Sequence, residues 1–270
     1  MKKQSVYRLV ESALMLAIAS VLSVIKIVDM PYGGSITLLS MFPLILIAYR
    51  YGTRFGLLTG FTYGLIQLLL GLDNLSYATS FGAVIAILVF DYLLAFLVLG
   101  LGGLFRKAVP HQGAALALGA AFTGVLRYLC HVISGATVWY GLSVPSAESL
   151  NYSFGYNLYM VPEILLLVFG ALYLSRVLNF RESNITRAPA MASYSPLATA
   201  LSAIGVAALL AATVWDIVLI VPCLQTADAA FLLAGLAAVN WLTVGIVTAV
   251  GLALFGILNV LASRLSKKEK

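Results

Sequence analysis

Ser80-FGAVIAILVFDYLLAFLVLGLGG-Leu104 is a run of 25 residues with one formally charged side chain, Asp91, near its middle. About 20 mainly apolar residues cross the hydrocarbon core as a helix, the form in which a lone segment satisfies its own backbone groups away from water. The run therefore reads as a membrane-spanning helix. A charge at that depth is costly and faces a cavity or a partner, which makes Asp91 a functional candidate.

Similar runs lie on both sides, at 7–28, 38–49, 55–71, 113–140, 153–178, 195–222 and 231–262, so about eight helices are expected. The whole chain agrees: 270 residues, 62% hydrophobic and 10% charged, with mean hydropathy +1.03. An all-α integral membrane protein is the expected fold. The polar breaks are too short to fold a separate water-soluble catalytic or nucleotide-binding domain, so any energy source must come from elsewhere. The run 38–49 is too short to cross alone; it is expected to be shielded by protein and to mark a place to look for a site.

The breaks alternate in charge. Lys2, Lys3 and Arg8, then Arg50 and Arg54, Arg106 and Lys107, Arg176, Arg181 and Arg187, and finally Arg264, Lys267, Lys268 and Lys270 define one side. Asp29, Asp73, Glu148 and Asp228, with Lys26, define the other. By the excess of basic residues in cytoplasmic loops, both termini are expected inside. The net charge of +6 forms no stripe with interleaved aromatics, so no nucleic-acid partner is expected. Cys130 and Cys223 lie in or beside apolar runs without metal-ligand spacing and read as packing residues.

After Arg181 the texture changes through a polar segment containing Pro189, with Pro196 just beyond it. This divides the chain into a module at 1–182, a cytoplasmic linker at 183–194 and a two-helix extension with a basic tail at 195–270. Small residues recur every four positions at Gly56, Gly60 and Gly64, read as internal packing, and at Ala13 and Ala17, where docking onto a separate membrane subunit competes with packing.

Five ionisable groups fall inside the runs: Asp91, Arg127, His131, Glu163 and Asp216. Arg127, His131, Gly135 and Trp139 are spaced by four and share a slowly drifting helix face. Tyr63, Tyr92 and the series Tyr152, Tyr156, Asn157, Tyr159 fall in the same outer half. Aromatic faces attract a cation, a carboxylate neutralises it and an amide reads an edge, so this set suits a flat, cationic heteroaromatic of vitamin size. Arg127 and Glu163 are expected deeper than this pocket, where Arg127 forms a buried ion pair with Glu163 or Asp91, or a switch between bound and empty states. No enzyme signature is present: there is no phosphate-binding GxxxxGK[ST] loop and no HExxH. Gly100, Gly102 and Gly103 sit at a helix end rather than in a nucleotide loop. Ser134 and His131, three apart on one helix, read as packing rather than as nucleophile and base.

These residues resemble the thiamine-specific S components, the substrate-binding subunits of energy-coupling factor transporters. The resemblance covers roughly residues 5–180 and rests on Glu11-Ser-Ala13-x-x-x-Ala17, Phe42-Pro43, Tyr49-Arg50-Tyr51-Gly52, Tyr63-Gly64, Phe90-Asp91-Tyr92, Leu104-Phe105-Arg106, Arg127-x-x-x-His131-x-x-Ser-Gly135-x-x-x-Trp139 and Tyr152-x-x-x-Tyr156-Asn157-x-x-Tyr159-x-x-Pro162-Glu163. It implies a six-helix bundle in a bacterial plasma membrane that captures thiamine outside and delivers it in complex with a shared transmembrane subunit and two cytosolic ATPases. The chain would then hold no cofactor, and its partners would use the ATP. By the same resemblance Asp91 is the acid facing the ligand, with Tyr92, His131, Trp139, Tyr152 and Asn157 as pocket residues and Ala13 and Ala17 as the docking motif. Tyr63 and Gly34 stand where a member of the family carries pocket Trp residues, and Asp91 stands where it carries Glu. The last two helices have no counterpart in the six-helix pattern. The alternatives are an S component for another small heterocycle, such as hydroxymethylpyrimidine, and a non-transporting membrane scaffold or lipid-modifying enzyme.

Overall fold

The computed structural model describes residues 2–30, 34–139, 146–188, 195–224 and 233–268. They fall into two compact units, Met1–Leu172 and Tyr173–Lys270.

The first unit begins with α1, Lys2–Val24, followed by a hairpin of β1, Lys26–Asp29, and β2, Ser35–Thr37. The strands are antiparallel, with Lys26 opposite Thr37 and Asp29 opposite Ser35. This corrects the expected first helix, which ran to residue 28. The β-branched residues Ile27, Val28, Ile36 and Thr37 favour strand, and Pro31 in the sequence cannot continue a helix.

Helix α2, Phe42–Tyr51, has ten residues, about 15 Å at 1.5 Å per residue and roughly half the hydrocarbon core. Pro43 lies in its first turn, where a missing N–H leaves no bond unmade. Every residue from Phe42 to Arg50 is buried. Helix α3 is Thr53–Leu70. Helix α4 is a composite over Phe81–Arg106: α-helical at Phe81–Ala86, π-helical at Ile87–Leu93, α-helical at Leu94–Leu97 and 3-10 at Val98–Arg106. Helix α5 is Gln112–Trp139. Helix α6 runs through Ala147–Tyr156, a 3-10 turn at Asn157–Tyr159, and Met160–Val177. A capping box between Ser146 and Ser149 starts it by pairing N–H groups that have no partner inside the helix.

Lipid tails are as apolar as leucine, so helix association in a membrane depends on close contact. The glycine row on α3 supplies it. A Cβ added at Gly60 would lie 2.5 Å from the Phe96 carbonyl oxygen, and one at Gly64 would lie 2.9 Å from that of Tyr92. At Gly102 and Gly103 an added Cβ would press on Ile45 and Ala48 of α2. These glycines are therefore packing positions along α4. Arg106 Nη1 adds a hydrogen bond of 2.9 Å to the Tyr49 carbonyl at the end of α2.

Helix α1 is held at its middle and towards its C-terminal end. Arg50 Nη2 donates to Glu11 Oε2 at 3.1 Å, and the Tyr51 hydroxyl donates to the same oxygen. Further along, the Tyr63 hydroxyl donates to the Ala19 carbonyl at 3.0 Å and Gln67 Nε2 to Ser23 Oγ at 2.9 Å. The face carrying Ala13 and Ala17 is exposed.

The second unit contains a short pairing of β3, Leu178–Asn179, with β4, Thr186–Arg187. It continues with α7, Pro196–Ile220, a 3-10 extension Val221–Leu224, a 3-10 turn Leu233–Ala238 and α8, Trp241–Lys268. Helices α7 and α8 pack antiparallel. Ser202 Oγ donates to Asn259 Oδ1 at 2.7 Å, and Thr248 Oγ1 donates to Asp216 Oδ2 at 2.6 Å. Helix α8 starts later than the expected residue 231 because Asn240 Oδ1 caps it, accepting from the Thr243 N–H at 3.1 Å.

Among the described residues, six helices are long and apolar enough to cross a membrane: α1, α4, α5, α6, α7 and α8. The chain is a predominantly helical, multi-pass membrane protein. The two units divide at residue 172, nearer the N-terminus than the expected module end at 182. Of the expected linker, 183–188 form a turn and β4, while 189–194, like Tyr140 and Asp228, lie outside the described residues.

Candidate functional site

A cavity of about 590 Å³ lies within the first unit, bounded by the β1–β2 hairpin, the ends of α1 and α3, and α4, α5 and α6. That volume is within the range of small-molecule sites. The short helix α2 contributes none of its lining. This corrects the expectation that its shortness marks the site: α2 is short because it is enclosed by protein.

Asp91 enters the cavity from the π-helical stretch of α4, a backbone form that recurs at functional sites. Its Oδ1 lies 2.7 Å from His131 Nδ1, and its Oδ2 accepts from Ser134 Oγ at 2.7 Å. Both partners stand on α5, three residues apart and so on one face. Ser134 is fully buried, whereas the Asp91 side chain keeps 28% of its surface exposed. The acid is thus the accessible member of the cluster. His131 Nε2 is buried without a hydrogen-bond partner. The Ser134 hydroxyl turns to the acid rather than to that nitrogen, so serine and histidine do not form the nucleophile and base pair of covalent catalysis.

One turn along α5, Arg127 Nη1 lies 3.1 Å from Glu163 Oε2, and the guanidinium lies 5.0 Å from the centre of the Phe96 ring. Glu163 Oε1 accepts from the Thr37 N–H at 3.1 Å and from the Thr37 hydroxyl at 2.6 Å, and that hydroxyl lies 2.6 Å from Ser40 Oγ. The ion pair forms between Arg127 and Glu163, and Asp91 takes His131 instead. Arg127 and Glu163 both line the cavity, which corrects their expected position beneath it.

Tyr63, Tyr92 and Asn157 also line the cavity. The Tyr63 ring meets Phe96 edge-on at 5.0 Å. The Tyr92 hydroxyl donates to the Gly71 carbonyl at 2.8 Å and accepts from Asn74 Nδ2 at 2.8 Å. Asn157 stands in the 3-10 turn of α6 and donates through Nδ2 to the Ser153 carbonyl at 2.9 Å. Tyr152 is not among the lining residues and stacks on the lining Tyr156, with ring centres 6.4 Å apart. Trp139 is the last residue of α5, and its side chain, like that of Glu148, lies outside the described residues.

Gly34 has φ +89°, and an added Cβ would fall 2.1 Å from the Tyr159 hydroxyl oxygen. The positive φ strains any larger residue there, and its Cβ would have to displace the Tyr159 hydroxyl, which abuts the hairpin. Thr37 and Ser40 are among the polar lining groups that the sequence reading did not place in the site, and Ser134 joins it through Asp91. Ser134 carried a signal, being a hydroxyl one turn from His131 in an apolar run. Among the described residues, no group of three or more His, Cys, Asp or Glu side chains could hold a metal ion.

Residues 9–180 match the model of the thiamine transporter protein family (Thia_YuaJ). The chain belongs to this family. The thiamine transporter ThiT of Bacillus subtilis (strain 168) is 35% identical over 178 residues, an alignment covering 61% of this chain and 88% of that protein. A solved structure of ThiT from Listeria monocytogenes shares 24% identity, covering 63% of this chain and 94% of that one, with a TM-score of 0.47. The match to the thiamine transporter family takes in every residue of the cavity and ends before α7.

Proposed function

We propose that this chain is the substrate-binding S component of an energy-coupling factor transporter, capturing thiamine outside a bacterial cell and releasing it inward. On this reading a transmembrane subunit docks on α1 through Ala13 and Ala17, and two cytosolic ATPases supply the energy. The chain itself carries out no catalysis and holds no cofactor.

The observation that carries the substrate assignment is Asp91, an accessible carboxylate held by His131 and Ser134 in a cavity walled by Tyr63, Tyr92, Phe96, Tyr156 and Tyr159. Thiamine joins a thiazolium cation to an aminopyrimidine. The carboxylate offsets positive charge and accepts from an amino group, while the ring faces attract the cation. Membership of the thiamine transporter family supports the same ligand.

The test is titration of the detergent-purified protein with thiamine, followed by quenching of Trp fluorescence, with riboflavin and hydroxymethylpyrimidine as comparisons. Saturable quenching by thiamine, lost in Trp139→Phe, is the expected result. A response to hydroxymethylpyrimidine alone would move the substrate to that half of the molecule. No response to any of the three, confirmed by calorimetry, would overturn the reading.

A further inference from the structure

We propose that Ser134 is a positioning residue for substrate binding, acting through Asp91; this rests on the thiamine-binding reading. An aspartate holds its carboxylate one methylene closer to its own backbone than a glutamate does, and α4 alone leaves its two side-chain torsions free to turn it. Here both oxygens are fixed from across the cavity. Ser134 Oγ takes Oδ2 and His131 Nδ1 takes Oδ1, each at 2.7 Å. With the carboxylate as acceptor, Nδ1 carries the shared proton and the hydroxyl hydrogen of Ser134 points at the acid.

The burial order sets the roles. Ser134 has no exposed surface and cannot touch a ligand in the cavity, whereas Asp91 can. Each carboxylate oxygen has a second lone pair, and these remain for the ligand. The two bonds from α5 thus set the direction in which the acid presents its charge. Removing the Ser134 hydroxyl leaves Oδ2 free to rotate, and ordering it again falls to the ligand. Hydrogen bonds to a charged group carry enough free energy for a loss of about fivefold to tenfold in affinity.

The test is a double-mutant cycle on the full chain with Ser134→Ala, Asp91→Asn and the pair, read by thiamine titration and by thermal melting without ligand. Ser134→Ala is expected to weaken thiamine binding about fivefold in the wild-type background and to have no further effect beside Asp91→Asn. The melts are expected to be non-additive in the same sense, which a serine that merely fills space would not produce. Equal thiamine affinity in wild type and Ser134→Ala, or effects that multiply in the double variant, would overturn the role. If wild type binds no thiamine, the substrate reading fails, and the melts still decide whether Ser134 positions Asp91: coupling upholds it and additivity overturns it.

Discussion

Glu163 and Thr37 stand 126 residues apart, and one carboxylate oxygen of the first accepts both the N–H and the hydroxyl of the second, at 3.1 and 2.6 Å. The other oxygen holds Arg127. One buried acid thus joins the hairpin after α1 to α5 and α6. Removing one member of such a buried pair leaves a charge without compensation, at a cost of about 3–5 kcal/mol. Glu163→Ala is therefore expected to lower the melting temperature of the purified protein more than any single change at the cavity mouth, such as Lys26→Ala. Equal melting of the two variants would show that the junction is not a main support.

Asp91→Asn and His131→Ala are each expected to reduce thiamine affinity at least tenfold, about 1.4 kcal/mol. Calorimetric titration of both variants against wild type measures this directly. Unchanged dissociation constants in both would sink the assignment of the acid and its partner to the ligand.

Packing of α3 on α4 leaves no room at Gly60, where a Cβ would sit 2.5 Å from a backbone oxygen. Gly60→Val is expected to cost about 1–3 kcal/mol through overpacking. Yield of monodisperse protein in detergent and its melting temperature report the loss; a variant that melts with wild type would mean that the helices part without cost.

Helix α1 exposes Ala13 and Ala17 while its other face is bonded to α2 and α3. Ala13→Trp should leave thiamine binding by purified protein intact and abolish uptake of labelled thiamine by cells carrying the partner subunits. Normal uptake would remove this face from consideration as the dock.

Asp216 lies between α7 and α8, with one oxygen bonded to Thr248 and the other buried without a hydrogen-bond partner. All the described cavity residues belong to the first unit. Asp216→Leu is accordingly expected to leave thiamine affinity within about twofold and to hold or raise stability, since it removes a buried carboxylate oxygen that has no hydrogen-bond partner. A large drop in affinity would tie the extension to binding.

The helices were legible because apolar runs and charged breaks are properties of composition. Asp91, Arg127, His131 and Glu163, which line the cavity, stood out in the sequence as candidates because charge in such a run is rare. What sequence could not supply was pairing. Four ionisable groups admit several couplings, and only the backbone decides that His131 reaches Asp91 while Arg127 reaches Glu163. The hairpin at Lys26–Thr37 escaped because two strands of four and three residues are too short for a periodicity of two to stand out.

The π-helical stretch at Ile87–Leu93 makes α4 sensitive to its own residue count. Each residue of a regular helix advances the side-chain direction by about 100°, and a π turn holds about one residue more than an α turn. Deleting a single residue between Ile87 and Phe90 would remove that surplus residue and let the segment relax to a regular helix, leaving the two flanks close to their present phase and turning the residues of the stretch itself, Asp91 among them. Substitutions in this stretch are thus a matter of side-chain size, whereas a change of length by one codon is a change of geometry. The direction in which Asp91 leaves α4 is thus set by the residue count of the stretch.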